Sequence, residues 1–236
     1  MKRLIIYGDI HGCLDEFREL RHLIDPRKED IEVSVGDILN KGPYSLQTLR
    51  YIREHKILTV MGNNEEKMIK YYRKFQNGDE TLFEKITENE KETLLGMRAE
   101  EYEFLTALPY FLKFSNLTVV HGGIPNDLDL SKPLTKEAKK ALTLYRFLDR
   151  NYNMIPYADF EHRFVFWSDI YDGHEGFVVF GHHPFEQPKI SPHAIGIDTG
   201  CVYGGALTAI IFEINDEVLL KSYRFEQVPA KKQYWP

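Results

Sequence analysis

The sequence is poor in cysteine and contains no long apolar run. Its two cysteines, Cys13 and Cys201, show no pairing pattern, which excludes a small disulfide-stapled secreted domain and favours reduced thiols. No apolar run approaches the roughly 18 residues that a membrane-spanning helix requires. The N-terminal segment becomes polar too soon for a signal peptide. We therefore expect a cytoplasmic protein that does not contact a membrane.

The sequence also lacks an excess of basic residues. Its formal net charge is −6 and its pI is about 5.9, which argues against a broad nucleic-acid-binding surface but leaves room for a small basic pocket. It contains no internal repeat, low-complexity tract or Gly/Ser linker. A chain of 236 residues can bury a sizeable core. We predict a single domain over residues 1–236 and leave the oligomeric state open.

Five short apolar runs each end on a loop that carries a metal-type ligand. The runs are Leu4–Tyr7, Val33–Val35, Ile57–Met61, Leu117–Val120 and Phe177–Phe180. The loops read G-D-I-H-G at 8–12, G-D-I-L-N-K-G at 36–42, G-N-N-E at 62–65, H-G-G at 121–123 and G-H-H at 181–183. Ligands of α/β proteins bind at the carboxyl ends of strands, where loops converge. The five loops are therefore expected to form one site.

The converging loops carry a mixture of oxygen and imidazole donors. One aspartate after a strand more often caps a helix or closes a turn, but five spaced motifs together indicate a dinuclear metal centre. The donor mixture suits Mn²⁺, Fe, Zn²⁺ or Co²⁺ better than Ca²⁺. Two such ions about 3.5–4 Å apart can clamp the attacking and leaving oxygens of a phosphoryl displacement. The candidate ligands are Asp9, His11, Asp37, Asn63, His121 and His182.

Amphipathic stretches separate the apolar runs and predict helices on the outside of a sheet. Further helix is expected at 88–108 and 135–149, and the Glu- and Lys-rich region near 65–110 is predicted to be a helical insert. The last sixty residues contain the β-rich segments 194–197, 207–212 and 218–225. This order predicts an α/β fold in which two sheets pack together with helices outside.

The motif set resembles the calcineurin-like metallophosphoesterases, in the branch of serine/threonine protein phosphatases and diadenosine tetraphosphatases. That pattern is G-D-x-H-G, G-D-x-x-D-R-G, G-N-H-E/D, H-G/A-G and G-H. The segments P-Y-S-L-Q-T-L-R-Y-I at 43–52, F-L-T-A-L-P at 104–109 and I-D-T-G-C-V-Y-G-G-A-L-T-A at 197–209 are similar to the dinucleoside polyphosphatases. The resemblance implies a four-layer α-β-β-α sandwich with two central mixed sheets and a dinuclear site on the connecting loops.

The resemblance also implies how two divalent ions are held. Mn²⁺ is the preferred ion, with Fe, Zn, Co or Ni as alternatives, and a metal-bridging hydroxide is the expected nucleophile. Asp9 and His11 are expected on the first ion, Asp37 between the two ions, and Asn63, His121 and His182 on the second.

The second and third motifs depart from the family pattern. Asn64 stands where the pattern has a His, and Asn40 stands where it has the Asp that holds this His. In the family that pair protonates the leaving oxygen, whereas an amide cannot donate and recover a proton at neutral pH. The predicted catalytic positions Asp37, Asn64 and Asn40 therefore lack the usual general acid.

The side chains expected to contact substrate are less strongly indicated. Lys41 replaces the Arg of the second motif, so it meets phosphate as a point charge rather than as a two-pronged donor. Asn64, His183 and Tyr203 are the other predicted contacts. A second family Arg, expected after the tryptophan at 167, is missing, and the sequence does not decide whether Arg146 or Arg163 replaces it.

The missing acid predicts which substrates are cleaved. General acid catalysis typically contributes 10²–10⁴-fold, most for poor leaving groups. We expect a phosphohydrolase acting on a phosphorylated small molecule or nucleotide: a phosphoanhydride such as a dinucleoside polyphosphate, or an activated mono- or diester. The alternatives are a phosphoprotein phosphatase and a catalytically weak, metal-binding pseudophosphatase with a regulatory role.

Overall fold

The computed structural model describes residues 2–236, whose strands and helices alternate through the first half of the chain. The strands are β1 (Lys2–Tyr7), β2 (Ile31–Ser34), β3 (Leu58–Thr59), β4 (Phe111–Phe114), β5 (Leu117–Val120), β6 (Phe147–Leu148), β7 (Val165–Phe166), β8 (Phe177–Phe180), β9 (Lys189–Ser191), β10 (Ala194–Gly196), β11 (Asp198–Thr199), β12 (Ala206–Ile214) and β13 (Val218–Pro229). The α-helices are α1 (Leu14–Ile24), α2 (Ser45–Glu54), α3 (Asn63–Gln76), α4 (Glu88–Gly96), α5 (Ala99–Thr106) and α6 (Lys136–Leu144).

Two mixed sheets form the centre of the fold. The first has the order β11-β12-β1-β2-β3, with β13 also paired to β12. In it β1, β2 and β3 are parallel, whereas β12 runs antiparallel to β1. The second sheet has the order β4-β5-β8-β10-β9 and combines parallel β5-β8-β10 with antiparallel outer strands. The predicted pair of central mixed sheets is confirmed.

The alternation of side chains along β1 shows how the layers are arranged. Leu4 and Ile6 belong to the core between the two sheets, with residues of β2, β5 and β8. Ile5 and Tyr7 point to the opposite face and pack with the apolar faces of α1, α2 and α3. Since neighbouring strand residues face opposite sides, one strand serves both cores. A third core covers the outer face of the second sheet with α6, which completes the predicted α-β-β-α sandwich.

Some elements differ from the sequence predictions. The helix expected over 135–149 ends at Leu144, because Phe147 and Leu148 pair as β6 with β7. The helix expected over 88–108 is two helices, separated where Met97 takes an extended conformation. The short strands β4 and β9 were not predicted. Each gains its pairing from a neighbouring strand rather than from local pattern.

The topology places the five loops that carry the candidate ligands at the carboxyl ends of strands from both central sheets. The loops after β1, β2, β3, β5 and β8 follow strands that run in the same direction within their sheets. Within residues 2–236, no helix combines the length and the apolar character needed to cross a membrane.

Candidate metal centre

The backbone at the candidate site adopts an unusual conformation. His11, Asp37, Asn40, Lys41 and His182 all have positive φ values, between 47° and 70°. Such left-handed conformations are uncommon for residues other than glycine, and they cluster where the surrounding structure holds a site in place. The loops therefore turn sharply enough to aim these side chains at one point.

Two glycines allow the loops to approach each other. A Cβ atom on Gly181 would overlap the carboxylate of Asp9, and one on Gly62 would overlap Asp37. The absence of a side chain lets the loop after β8 lie directly against that after β1. These two glycines are required by close contact, because neither has a positive φ.

One group of ligand atoms is formed by Asp9, His11 and Asp37. All three residues are buried, and one ligand atom from each lies within 4.8 Å of the others. His11 Nε2 lies 3.9 Å from Asp9 Oδ2 and 3.6 Å from Asp37 Oδ2. The structure thus brings together the three residues predicted for the first ion.

A second group, formed by Asp37, His121 and His182, shares Asp37 with the first. His121 Nε2 lies 3.4 Å from Asp37 Oδ1, 3.0 Å from Asn63 Oδ1 and 3.1 Å from His182 Nδ1. Metal–ligand bonds of about 2.1 Å place neighbouring ligand atoms of one ion about 3 Å apart. The spacing matches that of side chains that share an ion.

Hydrogen bonds orient two of the imidazoles toward the centre. The Nδ1 atom of His11 lies 3.0 Å from the Leu39 carbonyl, and that of His121 lies 2.9 Å from the Val35 carbonyl. When each Nδ1 donates its proton to the carbonyl, the lone pair of each Nε2 is left for a metal ion between the imidazoles and the carboxylates. A backbone carbonyl behind a ligating histidine is the usual way to set tautomer and ring orientation.

The electrostatics of the centre reflect crowded buried acids. Burial and the neighbouring carboxylate of Asp198 raise the pKa of Asp9 well above its usual range. Burial lowers the pKa of His121, but nearby carboxylates outweigh it and raise that pKa to about 9. Burial and the ammonium of Lys41 lower the pKa of His11 to about 4. Buried carboxylates that repel one another are stabilised by added positive charge.

Three observations show that these residues fit two divalent cations. The donor set combines carboxylate, amide and imidazole groups in two overlapping clusters. The Nε2 atom of His121 and the Nδ1 atom of His182 face each other across 3.1 Å. Asp37 is placed where one carboxylate can serve both clusters.

The two asparagines at the general-acid position form a buried chain of hydrogen bonds. Asn64 Nδ2 donates to Asp37 Oδ2 over 2.6 Å, and Asn40 Nδ2 donates to Asn64 Oδ1 over 3.0 Å. The backbone N–H of Asn64 donates to the other oxygen of Asp37, over 2.9 Å. Asn64 therefore orients Asp37, and Asn40 orients Asn64.

Glu65 is a residue whose function the sequence reasoning missed. Its fully buried carboxylate accepts hydrogen bonds from the backbone N–H groups of Asp37, Ile38, Leu39 and Gly62, over 2.7–3.2 Å. It ties the loop after β2 to the start of α3. The acidic residue that ends G-N-N-E was the available signal, but the sequence alone does not show its partners.

The predicted substrate contacts are placed differently from one another. Lys41 Nζ donates to the Tyr203 hydroxyl over 2.8 Å and to His11 Nε2 over 3.0 Å, so Lys41 and Tyr203 lie beside the first ligand cluster. The ring of His183 instead packs in an aromatic cluster, 4.9 Å from Phe185 and 5.2 Å from Phe147. His183 thus lies among aromatic side chains, and its contact with substrate stays a prediction.

The structure separates the two candidate arginines. Arg146 Nη2 donates to the His182 carbonyl over 2.9 Å, and the side chain lines the cleft at the centre. Arg163 donates to the Tyr157 carbonyl and lies 4.0 Å from the ring centre of Phe160. Arg146 is therefore the arginine next to the ligand clusters. The position of Arg146 in the sequence does not show this proximity, because Arg146 lies after α6 and reaches the centre only through the tertiary structure.

Comparison with known proteins identifies the family. The model of the calcineurin-like phosphoesterase family matches residues 2–227. A bis(5'-nucleosyl)-tetraphosphatase PrpE (asymmetrical) from Halalkalibacterium halodurans is 30% identical over 226 residues, which cover 88% of this chain and 89% of that protein. The protein of the same name from Bacillus subtilis is 31% identical over 238 residues, covering 92% and 93% of the two chains.

Solved structures share the fold. A crystal structure of a proposed diadenosine tetraphosphatase superposes with a TM-score of 0.76 at 24% identity, covering 97% of this chain and 93% of that one. A serine/threonine phosphatase from Saccharomyces cerevisiae gives a TM-score of 0.61 at 15% identity, covering 95% and 79%. The family model and the PrpE relatives show that the chain belongs to the calcineurin-like phosphoesterases and is a hydrolytic enzyme of that family.

Proposed function

We propose that this enzyme hydrolyses phosphate bonds that have a good leaving group, chiefly the phosphoanhydride of a nucleotide such as a dinucleoside polyphosphate. Activated mono- and diesters are the secondary substrates. The observation that carries the proposal is the buried amide chain from Asn40 through Asn64 to Asp37. The names of the PrpE relatives support the same substrate class.

The metal requirement follows from the family and from the ligand clusters. We propose that Asp9 and His11 hold one ion, that Asn63, His121 and His182 hold the other, and that Asp37 serves both. Mn²⁺ is the proposed ion. The chemistry that two bound divalent ions supply at such a site is activation of water and neutralisation of charge on phosphate.

The amide chain sets the orientation of Asp37 without providing a transferable proton. Asn64 donates two hydrogen bonds to Asp37, one from its side chain and one from its backbone. An amide N–H stays protonated throughout, so it stabilises charge but does not neutralise a departing alkoxide. A leaving group must then depart as an anion, which a nucleoside polyphosphate or a nitrophenolate does readily.

Two cationic side chains are placed to bind the phosphate groups. Lys41 lies at the first ligand cluster and Arg146 at the second. Together they flank the cleft, so a polyphosphate chain can meet positive charge on both sides of the cleaved bond. Arg146 can bind two phosphate oxygens at once, which Lys41 cannot.

The proposal is tested by turnover with Mn²⁺ on diadenosine tetraphosphate, p-nitrophenyl phosphate, bis-p-nitrophenyl phosphate and phosphoserine. We expect the tetraphosphate to give the highest kcat/KM and phosphoserine the lowest, with all turnover lost in Asp37→Asn. Preference for phosphoserine would contradict the proposal. Absence of turnover from protein shown to carry two ions would point to a metal-binding pseudophosphatase.

A further inference from the structure

The cleft beside the ligand clusters has a lining that the metal chemistry does not use. Its volume is about 490 Å³, within the roughly 300–1,000 Å³ of small-molecule sites. Besides Lys41 and Arg146, it is lined by three aromatic side chains, Tyr157, Tyr203 and Trp235. Hydrolysis of a phosphate bond requires cationic and metal-binding groups, whereas three aromatic rings require another explanation.

Trp235 reaches the cleft because the C-terminal segment is attached to the body of the protein. The backbone N–H of Trp235 donates to the Val202 carbonyl over 3.0 Å. Glu16, which is fully buried, accepts from the Tyr234 hydroxyl over 2.7 Å and from the Lys231 N–H over 3.0 Å. The segment is thus tied to Val202, and Trp235 lines the cleft together with Tyr203.

Tyr157 is exposed yet fixed. The residue is 54% exposed to solvent, so packing in the core does not account for its position. The guanidinium carbon of Arg146 lies 4.7 Å from its ring centre, and Arg163 donates to its backbone carbonyl over 2.7 Å. The ring therefore stands next to the arginine assigned to phosphate, on the wall of the same cleft.

Two of the three aromatic side chains neighbour a cationic one. Tyr157 lies at Arg146. Tyr203 is hydrogen-bonded to Lys41 and follows Val202, whose carbonyl accepts from the Trp235 N–H. A ligand that matches this lining has a flat aromatic group joined to a polyanion. Nucleotides have this structure, and bases stack on aromatic side chains with little dependence on sequence.

We propose that Tyr157, Tyr203 and Trp235 form a nucleobase subsite that positions a nucleotide while its phosphates lie at the metal centre. The inference rests on the proposed phosphoanhydride hydrolase function and extends it by assigning the residues that recognise the nucleoside. Stacking on ring faces accepts every base. It should bind purines more tightly than pyrimidines, because purine rings have larger faces.

The kinetic test removes one ring and compares a substrate that has bases with one that has none. Diadenosine tetraphosphate and inorganic tripolyphosphate are assayed with the Mn²⁺-loaded enzyme. In Trp235→Ala, the ratio of their kcat/KM values should fall by about 5- to 150-fold, the loss expected for one stacked base. Trp235→Phe should restore most of the ratio. The matched control Tyr152→Ala removes an exposed tyrosine outside this cleft and should leave the ratio unchanged.

A binding measurement separates this inference from the proposed function. Trp235 and the buried Trp167 are the two tryptophans of the chain, so Trp235→Phe isolates the signal of the cleft. ADP should quench the fluorescence of the unaltered enzyme and not that of Trp235→Phe, whereas inorganic diphosphate should have little effect. Quenching without hydrolysis of the tetraphosphate would leave the subsite intact and refute the proposed reaction. Hydrolysis with an unchanged ratio in Trp235→Ala and Tyr157→Ala would overturn the subsite.

A third outcome distinguishes substrate binding from obstruction. If the C-terminal segment blocks the cleft, deletion of Trp235 and Pro236 should raise kcat/KM for both substrates. The nucleobase subsite predicts the opposite, a selective loss for diadenosine tetraphosphate. A rise for both would overturn the proposal.

Discussion

Restoring the general acid is the perturbation that follows most directly from the amide chain. In the variant Asn64→His with Asn40→Asp, a histidine replaces the amide that contacts Asp37, and a carboxylate replaces its buried neighbour. The existing amides are 3.0 Å apart, within reach of a His–Asp hydrogen bond. The new pair can transfer a proton, since a carboxylate partner supports the protonated imidazole.

The expected gain depends on the leaving group. General acid catalysis contributes about 10²–10⁴-fold, or about 2.7–5.4 kcal/mol of activation free energy. We expect a gain in this range for phosphoserine and less than about tenfold for p-nitrophenyl phosphate, whose phenolate departs without a proton. The assay measures kcat/KM for both substrates with each protein at saturating Mn²⁺.

The single variants provide the controls. Asn40→Asp alone places a carboxylate at a site that is 2% exposed and close to Asp37. It should destabilise the protein by about 3–5 kcal/mol, as an uncompensated buried charge does. Asn64→His alone should recover part of the gain. A folded double variant that carries two ions but shows no gain on phosphoserine would refute the interpretation of Asn64 and Asn40.

Three further predictions concern metal binding and stability. Asp37→Asn removes the carboxylate shared by both clusters, so bound metal per chain should fall below two. A chelator should lower the Tm of the unaltered protein, where ions at 100 times Kd stabilise by about 2.7 kcal/mol, but should shift that variant less. Glu65→Gln deprives at least two of the four backbone N–H donors of an acceptor. It should cost about 2–6 kcal/mol in urea unfolding, while Glu66→Gln serves as the neighbouring control. Burial opposes ionisation of Asp30, but hydrogen bonds from Arg3 prevail and lower the pKa of Asp30. Its contribution to stability is therefore present above about pH 4, the unfolded value, and is lost as pH falls through the lower folded pKa. Asp30→Asn should flatten this part of the stability–pH profile, and an unaltered acid limb would contradict the assignment.

The clustering of the candidate ligand residues could be predicted from the sequence because their signal is local. Each lies directly after a buried apolar run, and the carboxyl ends of the strands determine where these loops meet. The structure accordingly places Asp9, His11 and Asp37 in one cluster, and Asp37, His121 and His182 in the next. The packing of two sheets with helices outside followed in the same way from the alternation of apolar and helical segments, whereas their mixed strand directions were implied by the family resemblance.

Other features could not be predicted because they depend on distant contacts. Tyr157 and Trp235 are 78 positions apart in the sequence, yet both line one cleft. The periodicity of the sequence does not indicate that the C-terminal segment hydrogen-bonds to Glu16 and Val202. His183 was predicted as a substrate contact because it stands where the family often has a threonine, and its ring lies in an aromatic cluster.

The choice between the two arginines was also decided by tertiary structure. The sequence alone did not decide between Arg146 and Arg163. Arg146 hydrogen-bonds to the backbone of His182, whereas Arg163 is held by Tyr157 and packs on Phe160.

The most direct test of the central claim is the dependence of rate on leaving-group pKa. A series of aryl phosphates, from nitrophenyl to unsubstituted phenyl phosphate, is assayed for kcat/KM with the Mn²⁺-loaded enzyme. Because Asn64 and Asn40 supply no transferable proton, we expect kcat/KM to fall steeply as the pKa of the phenol rises. The double variant Asn64→His with Asn40→Asp should flatten the slope. A flat dependence in the unaltered enzyme would show that another group protonates the leaving oxygen and would contradict the account.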